Sequence, residues 1–231
     1  MLERVKLHDC VVYQSPLLRG LGVPHAFGTR AGDAPVLAKA LGLASHRWVT
    51  VRQVHGKRVH QEDRVPVNDH DDPRGEADAV VLRRADGVTR ILTADCVPIL
   101  LASTDGRAVA AVHAGWRGLT QHVIAEAVNT LASPFIAAIG PSISAARFEV
   151  GPEVAEQFDP RFIRSDLGSR PHIDLRAVCH ATLHNLGAQA IDTTDRCTYL
   201  HRDDFFSHRR DVTHHGNPTT GRMASVIAPA V

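Results

Sequence analysis

The sequence predicts a single α/β domain, and three observations carry that prediction. Short apolar runs rich in β-branched residues, each bounded by turn-forming residues, recur along the chain. Other segments place their apolar residues at helical spacing. Through the middle and carboxy-terminal parts the two kinds of segment alternate, as they do where helices pack on a sheet. The 231 residues, 44% of them hydrophobic, suit one or two domains with an ordinary core. No internal repeat divides them, so one domain over residues 1–231 is expected.

Taken in chain order, strands are expected at residues 48–54, 79–82, 90–92, 98–102, 108–112, 135–139 and 223–228. After Gly118, the residues Leu119, Val123, Ile124, Ala127, Val128 and Leu131 form one apolar stripe. They predict a helix that stops at Ser133-Pro134, because the residue before a proline avoids the helical region. A second helix starts at Gly151-Pro152, with proline in its first turn, and runs through Val154 to Phe158. A third runs from Asp174 to Leu186 and is ended by Gly187. Residues 68–76 and 213–220 are polar and rich in turn formers. They read as surface loops, the first also as a flap near a site.

Charge excludes one large class of function. Twenty-six Lys and Arg oppose 25 Asp and Glu, a net of +1, and no basic run exceeds the pairs Arg83-Arg84 and Arg209-Arg210, so an electrostatic nucleic-acid binder is not expected. The charged start, Met1 to Lys6, leads into no apolar stretch of a secretory signal, and nothing approaches the ~18 consecutive apolar residues of a membrane helix. A cytoplasmic protein is expected. Four widely spaced cysteines, Cys10, Cys96, Cys179 and Cys197, fit neither a disulfide scaffold nor a zinc knuckle. Fifteen histidines raise the expectation of metal or acid/base chemistry without locating it.

Three segments locate it: Gln53-Val54-His55-Gly56, Thr93-Ala94-Asp95-Cys96-Val97-Pro98, and Ala111-Val112-His113-Ala114-Gly115-Trp116-Arg117-Gly118. Each puts a metal-ligating side chain at the edge of an expected strand, beside a turn former, where side chains distant in sequence converge on a crevice. Two imidazoles and a thiolate, His55, His113 and Cys96, make a three-ligand zinc site whose fourth position stays open for chemistry. The same residues also read as a small buried thiol and two hydrogen-bonded core histidines.

With Ala77-Asp78-Ala79-Val80-Val81, Ile139-Gly140-Pro141-Ser142-Ile143, Phe148-Glu149-Val150-Gly151 and Phe205-Phe206-Ser207-His208-Arg209-Arg210-Asp211, these segments follow one another as in a known family. From about residue 50 to its end, the chain resembles the multicopper polyphenol oxidase, or laccase-domain, family. That family includes purine nucleoside phosphorylases of the laccase-domain type and a peptidoglycan editing factor. The resemblance implies a layered α/β domain of mixed sheets flanked by helices, and zinc held by His55, Cys96 and His113. It further implies phosphorolysis of adenosine, inosine, guanosine and methylthioadenosine, with deamination of adenosine. Phe27-Gly28-Thr29-Arg30-Ala31-Gly32-Asp33 departs from the family's F-S-T-R-x-G-G, so Arg30 is not carried over as a substrate residue. Ser144-Ala145-Ala146-Arg147 lacks the family's cysteine, and His208 stands where it has tyrosine.

The chemistry assigns further candidates. Zinc with an open position makes hydroxide available near neutral pH, which suits deamination. Asp78 and Asp95 are the nearest carboxylates in sequence for proton transfer; both also read as turn caps or as partners that orient a ligand histidine. Phosphate binding falls to Arg117, a bidentate donor at the start of a helix, with Arg209 and Arg210 as further donors or as a solvated pair. Trp116 offers a ring to stack on a purine or simply to pack, and Gly115 and Gly118 allow close backbone approach.

Rival readings use the same residues. Laccase chemistry needs histidines in His-x-His pairs, and none of the fifteen histidines has another two positions away; copper enters only by displacing zinc. An amidase that edits peptidoglycan precursors would use the zinc site, or Cys96 as nucleophile with His113 as base. A zinc-binding interaction module needs a fourth ligand, for which His208 and Cys197 are candidates. His180 and His184, four apart, read as a wet helix face.

Overall fold

A computed structural model describes residues 1–62 and 74–230. Most of the polar loop expected over 68–76 therefore lies outside the described residues. Two six-stranded mixed sheets pack face to face. The first has the strand order β1 (Glu3–Leu7), β2 (Cys10–Gln14), β3 (His25–Gly28), β14 (Met223–Ile227), β7 (Gly87–Thr93), β4 (Arg47–Val49). The second has β13 (Ile191–Asp192), β10 (Phe135–Ile139), β8 (Val97–Ser103), β9 (Val109–Ala114), β6 (Ala79–Leu82), β5 (Val59–Glu62). Among the strand pairs of the described residues, only the outer pairs β4–β7, β5–β6 and β10–β13 are parallel. A two-stranded ribbon pairs β11 (Ile163–Arg164) with β12 (His172–Ile173).

Alternation along each strand produces the layers, because successive side chains point to opposite faces. In β6, Val80 and Leu82 meet the first sheet, whereas Ala79 and Val81 face outward. Leu100 and Ala102 of β8, with Val109 and Ala111 of β9, join Tyr13, Phe27, Ile91, Met223 and Ile227 in the core between the sheets. The opposite residues, Ile99, Leu101, Ala110 and Val112, pack under helices α4 (Val123–Leu131) and α6 (Leu175–Asn185). On the outer face of the first sheet, Val12, Ala224 and Val226 pack against α2 (Ala34–Ala40). Central strands covered on both faces carry unbroken apolar runs, as in Val97–Ser103, every residue of which is buried. The remaining helices α1 (Pro16–Gly20), α3 (Trp116–Thr120) and α5 (Pro152–Ala155) are single turns. Among the described residues, no helix is long and apolar enough to cross a membrane.

Several expected elements change length. The strand expected over 48–54 ends at Val49 because Gln53 takes over the pairing with its side chain: its amide donates to the Leu92 carbonyl at 2.8 Å and accepts the Leu92 N–H at 2.7 Å. The helix expected after Gly118 is two, α3 and α4, broken at His122 with φ of +68°. Here α3 packs on the turn at Gly56, whose carbonyl oxygen lies 3.0 Å from where a Cβ on residue 118 would be. The second expected helix is the one-turn α5. The third is α6, capped by Asp174, which accepts the Ala177 N–H at 2.9 Å, and followed by Gly187 at φ +86°. The expected 213–220 loop begins inside a wide helical turn, Arg209–His214. The hairpin β1–β2 and strands β3 and β5 were not expected.

Candidate functional site

One end of the second sheet gathers the three candidate ligands. Antiparallel pairing of β8 with β9 sets Val97 opposite Ala114 and Pro98 opposite His113, so Cys96, just before β8, arrives beside the end of β9. Asp78, just before β6, enters at the same level; its carbonyl accepts the His113 N–H at 2.7 Å. His55 lies in the turn that leads to β5. The ligand atoms of His55, Cys96 and His113 all lie within 4.8 Å of one another. Among the described residues no fourth His, Cys, Asp or Glu completes this group. His55 is exposed, Cys96 half-buried and His113 buried, which grades access from solvent to interior.

The fully buried Asp78 organises the group. Its carboxylate accepts the N–H groups of Val54 (3.2 Å), His55 (2.9 Å) and Gly56 (2.7 Å) and the Nδ1–H of His113 (2.7 Å). The nest holds His55 in a left-handed conformation, φ +60°, and the bond to His113 leaves Nε2 as the free ligand atom. Burial raises the Asp78 pKa, but the His113 ring and these N–H groups more than offset it and hold the carboxyl below its ordinary range. Burial likewise pushes the Cys96 thiol up, yet hydrogen bonds and charge from His113 and His55 bring it down to about 7. Burial lowers His113, and Asp78 and Cys96 raise it to about 9.

These residues fit a metal ion. Two imidazoles and a readily ionised thiol are a zinc-type donor set, and the backbone is cut away around it. A Cβ on Gly115 would lie 3.0 Å from His55 Cδ2 and 3.1 Å from Cys96 Sγ.

The trio opens into a cleft of about 770 Å³, whose walls include Gln53, Asp95, Trp116, Arg117, Phe148, His208, Arg209, Thr220 and Arg222. Arg117 is exposed and stacks its guanidinium over the half-buried Trp116 ring, 4.4 Å from the centroid. Because α3 is only five residues long, attraction for an anion here rests on that guanidinium rather than on a helix dipole. Arg209 lies over Phe148 at 5.3 Å and donates to the Glu149 carbonyl at 2.8 Å. Asp95, left-handed at φ +88°, is almost wholly buried, and protein donors engage both of its carboxylate oxygens.

Other expectations are corrected or placed elsewhere. Arg210 is neither solvated nor available to phosphate: it is buried and donates to the carbonyls of Thr198, Tyr199 and Phe205 and to the Asp211 carboxylate. Cys197 is no fourth ligand. Its buried sulfur accepts the Ser144 hydroxyl at 3.2 Å and the Ser144 N–H at 3.3 Å. Cys10 and Cys179 are buried free thiols, and burial pushes Cys179 well up. His180 and His184 are both exposed on α6. Gly140 ends a strand; a Cβ there would strike the Phe27 ring. Sequence reasoning overlooked Phe148, Thr220 and Arg222 as cleft walls, since nothing in a polar loop announces which cavity it borders.

A family model described as multi-copper polyphenol oxidoreductase laccase matches residues 32–230. A Shigella flexneri protein named purine nucleoside phosphorylase YfiH is 38% identical over 217 residues, covering 87% of this chain and 84% of its own length. A purine nucleoside phosphorylase of Deinococcus radiodurans is 34% identical over 247 residues, 92% of each chain. The crystal structure of a Neisseria meningitidis protein superposes with a TM-score of 0.74 at 28% identity, covering 91% of this chain and 95% of that one.

Proposed function

The chain belongs to the multi-copper polyphenol oxidoreductase laccase family, and on that premise we propose that it is a zinc-dependent purine nucleoside phosphorylase with adenosine deaminase activity in the same cleft. The observation that carries the proposal is the trio of His55, Cys96 and His113 within 4.8 Å of one another in a cleft whose walls hold three arginines, Arg117, Arg209 and Arg222. Its relatives' names point to the same reaction. The substrates are adenosine, inosine, guanosine or methylthioadenosine together with phosphate.

Bound at the trio, zinc would supply Lewis-acid activation at neutral pH. The chain's own residues do the rest. Asp78 fixes the His113 ring and the 54–56 turn. Arg117 and Arg209 neutralise and orient phosphate, Arg117 with Trp116 beneath it and Arg209 with Phe148. In phosphorolysis a phosphate oxygen bonds to the anomeric carbon as the glycosidic bond breaks. The base leaves with the bonding electrons and takes up a proton, giving free base and ribose 1-phosphate or, from methylthioadenosine, 5-methylthioribose 1-phosphate. The arginines of the cleft favour this over precursor editing by amide hydrolysis, which needs no phosphate. Phenol oxidation is disfavoured by the donor set, because the one Cys-His-His group among the described residues cannot house the several coppers of a laccase and the sequence has no His-x-His pair.

Metal analysis with product analysis tests the reading. Expected are roughly one zinc per chain, hypoxanthine from inosine only with phosphate, inosine from adenosine without it, and neither after chelation. Faster turnover of a serine-bearing muramyl peptide than of any nucleoside would replace the proposal with the amidase. Full turnover and full zinc content in Cys96→Ala would overturn the metal assignment.

A further inference from the structure

Asp95 stands next to the ligand Cys96 on the cleft wall, yet its carboxylate is bonded to donors of its own chain. Its Oδ1 accepts the Thr198 hydroxyl at 2.6 Å, and its Oδ2 accepts the Ser207 hydroxyl at 3.0 Å and the Arg209 backbone N–H at 2.7 Å. Its own carbonyl accepts the Ile143 N–H at 3.0 Å. We infer that Asp95 is a positioning residue that ties the metal-bearing turn to the segment 198–210 and so sets Arg209 in the cleft, and that it does not carry the substrate's proton.

The geometry supports both halves of that statement. A proton carrier must present an oxygen to the substrate, whereas both oxygens of Asp95 face donors of its own chain. One of those donors, the Arg209 N–H, belongs to the backbone and cannot rotate away as a hydroxyl can. The segment it holds is itself stiff. Arg210 N–H donates to Ser207 Oγ at 3.2 Å, and the Arg210 guanidinium gathers the carbonyls of Thr198, Tyr199 and Phe205. Asp95 thus pins a preformed loop. The guanidinium of Arg209 is then held from the opposite side by the Glu149 carbonyl and the Phe148 ring. The backbone at Asp95 is left-handed, φ +88°, and the next residue, Cys96, joins the trio. Among residues with a side chain, Asn and Asp tolerate that region best, so Asp95→Asn keeps the backbone and one acceptor for the Arg209 N–H, whereas Asp95→Ala keeps neither.

The inference rests on the phosphorylase reading only where turnover is measured. In zinc-loaded protein, Asp95→Ala should raise the KM for phosphate about tenfold with a smaller fall in kcat, and Asp95→Asn should lose less than about tenfold in either with its zinc content at wild type. Asp95→Ala in an Arg209→Gln background should add little, since the carboxylate acts through Arg209. A loss of roughly a hundredfold or more in kcat for Asp95→Asn, the size of a missing general acid or base, would overturn the inference. An unchanged phosphate KM in Asp95→Ala would do the same. Independent of any turnover, amide hydrogen exchange across 205–214 should speed up in Asp95→Ala and not in Asp95→Asn. Should the alanine variant fail to fold, Ser207→Ala, which removes one donor, should speed exchange in the same segment. Equal exchange there in wild type and variant sinks the tie whichever reaction the enzyme runs.

Discussion

Asp78 Oδ1 accepts the Nδ1–H of His113 at 2.7 Å while the same carboxylate collects three consecutive N–H groups of the turn that bears His55. One buried side chain therefore orients two of the three candidate ligands. Asp78→Asn retains the shape but replaces one acceptor oxygen by a donor and removes the charge that favours a ligating imidazole. Zinc affinity should fall about 10- to 100-fold, read by titration against a competing chelator. An affinity equal to wild type would show that the ligands are positioned without it.

Much of this arrangement is legible in the sequence, for identifiable reasons. Strands buried on both faces, such as Val97–Ser103 and Phe135–Ile139, announce themselves as apolar runs, and α6 carries its cap and its terminating glycine on its face. Cys96 stands just before one such run, His113 lies near the end of another, and His55 lies in the turn before β5. What is not legible depends on partners remote along the chain. Whether Asp95 is a proton carrier or a tie is decided by donors 103 to 114 residues away. Arg210, beside Arg209 in sequence, is buried because three carbonyls happen to converge on it. The strand expected over 48–54 is cut short by the Gln53 amide, a side chain standing in for backbone, and local propensity has no means of expressing that.

Gly115 offers a test of crowding alone. Its φ of −75° is open to any residue, so alanine there costs nothing in backbone conformation. The added Cβ would nevertheless come within 3.0 Å of His55 Cδ2 and 3.1 Å of Cys96 Sγ. Gly115→Ala should weaken zinc binding about tenfold or more while its melting temperature without metal falls by only a few degrees. Wild-type zinc affinity in this variant would mean that the ligands have room to spare.

His25 gives the fold a pH dependence of its own. The fully buried ring accepts the Ser15 N–H at Nε2 and faces the Val23 carbonyl through Nδ1, and burial drives its pKa from 6.5 to about 4. Between those values the unfolded chain binds a proton that the folded chain refuses. Stability from this residue is therefore complete above pH 6.5 and is lost as pH falls toward 4, by about 3 kcal/mol in all. Denaturant titrations from pH 7 to 4.5 should show wild type losing stability faster than His25→Asn, which has no ring to protonate. Parallel curves for the two proteins would place the acid sensitivity elsewhere.

Metal binding should also be visible as stability, because the three ligands meet only in the folded chain. Cys96 comes from the foot of β8, His113 from the end of β9 and His55 from the turn before β5. An ion that binds the folded state alone adds RT ln(1 + [L]/Kd), about 4 kcal/mol at a free concentration a thousandfold above Kd. Zinc should raise the melting temperature of wild type by several degrees, and a chelator should reverse the rise. Cys96→Ala loses the sulfur and with it most of that response, while its metal-free melting temperature stays near that of wild type, since the half-buried thiol fills little of the core. A zinc-induced shift of equal size in both proteins would mean that the stabilising ion is bound by other residues.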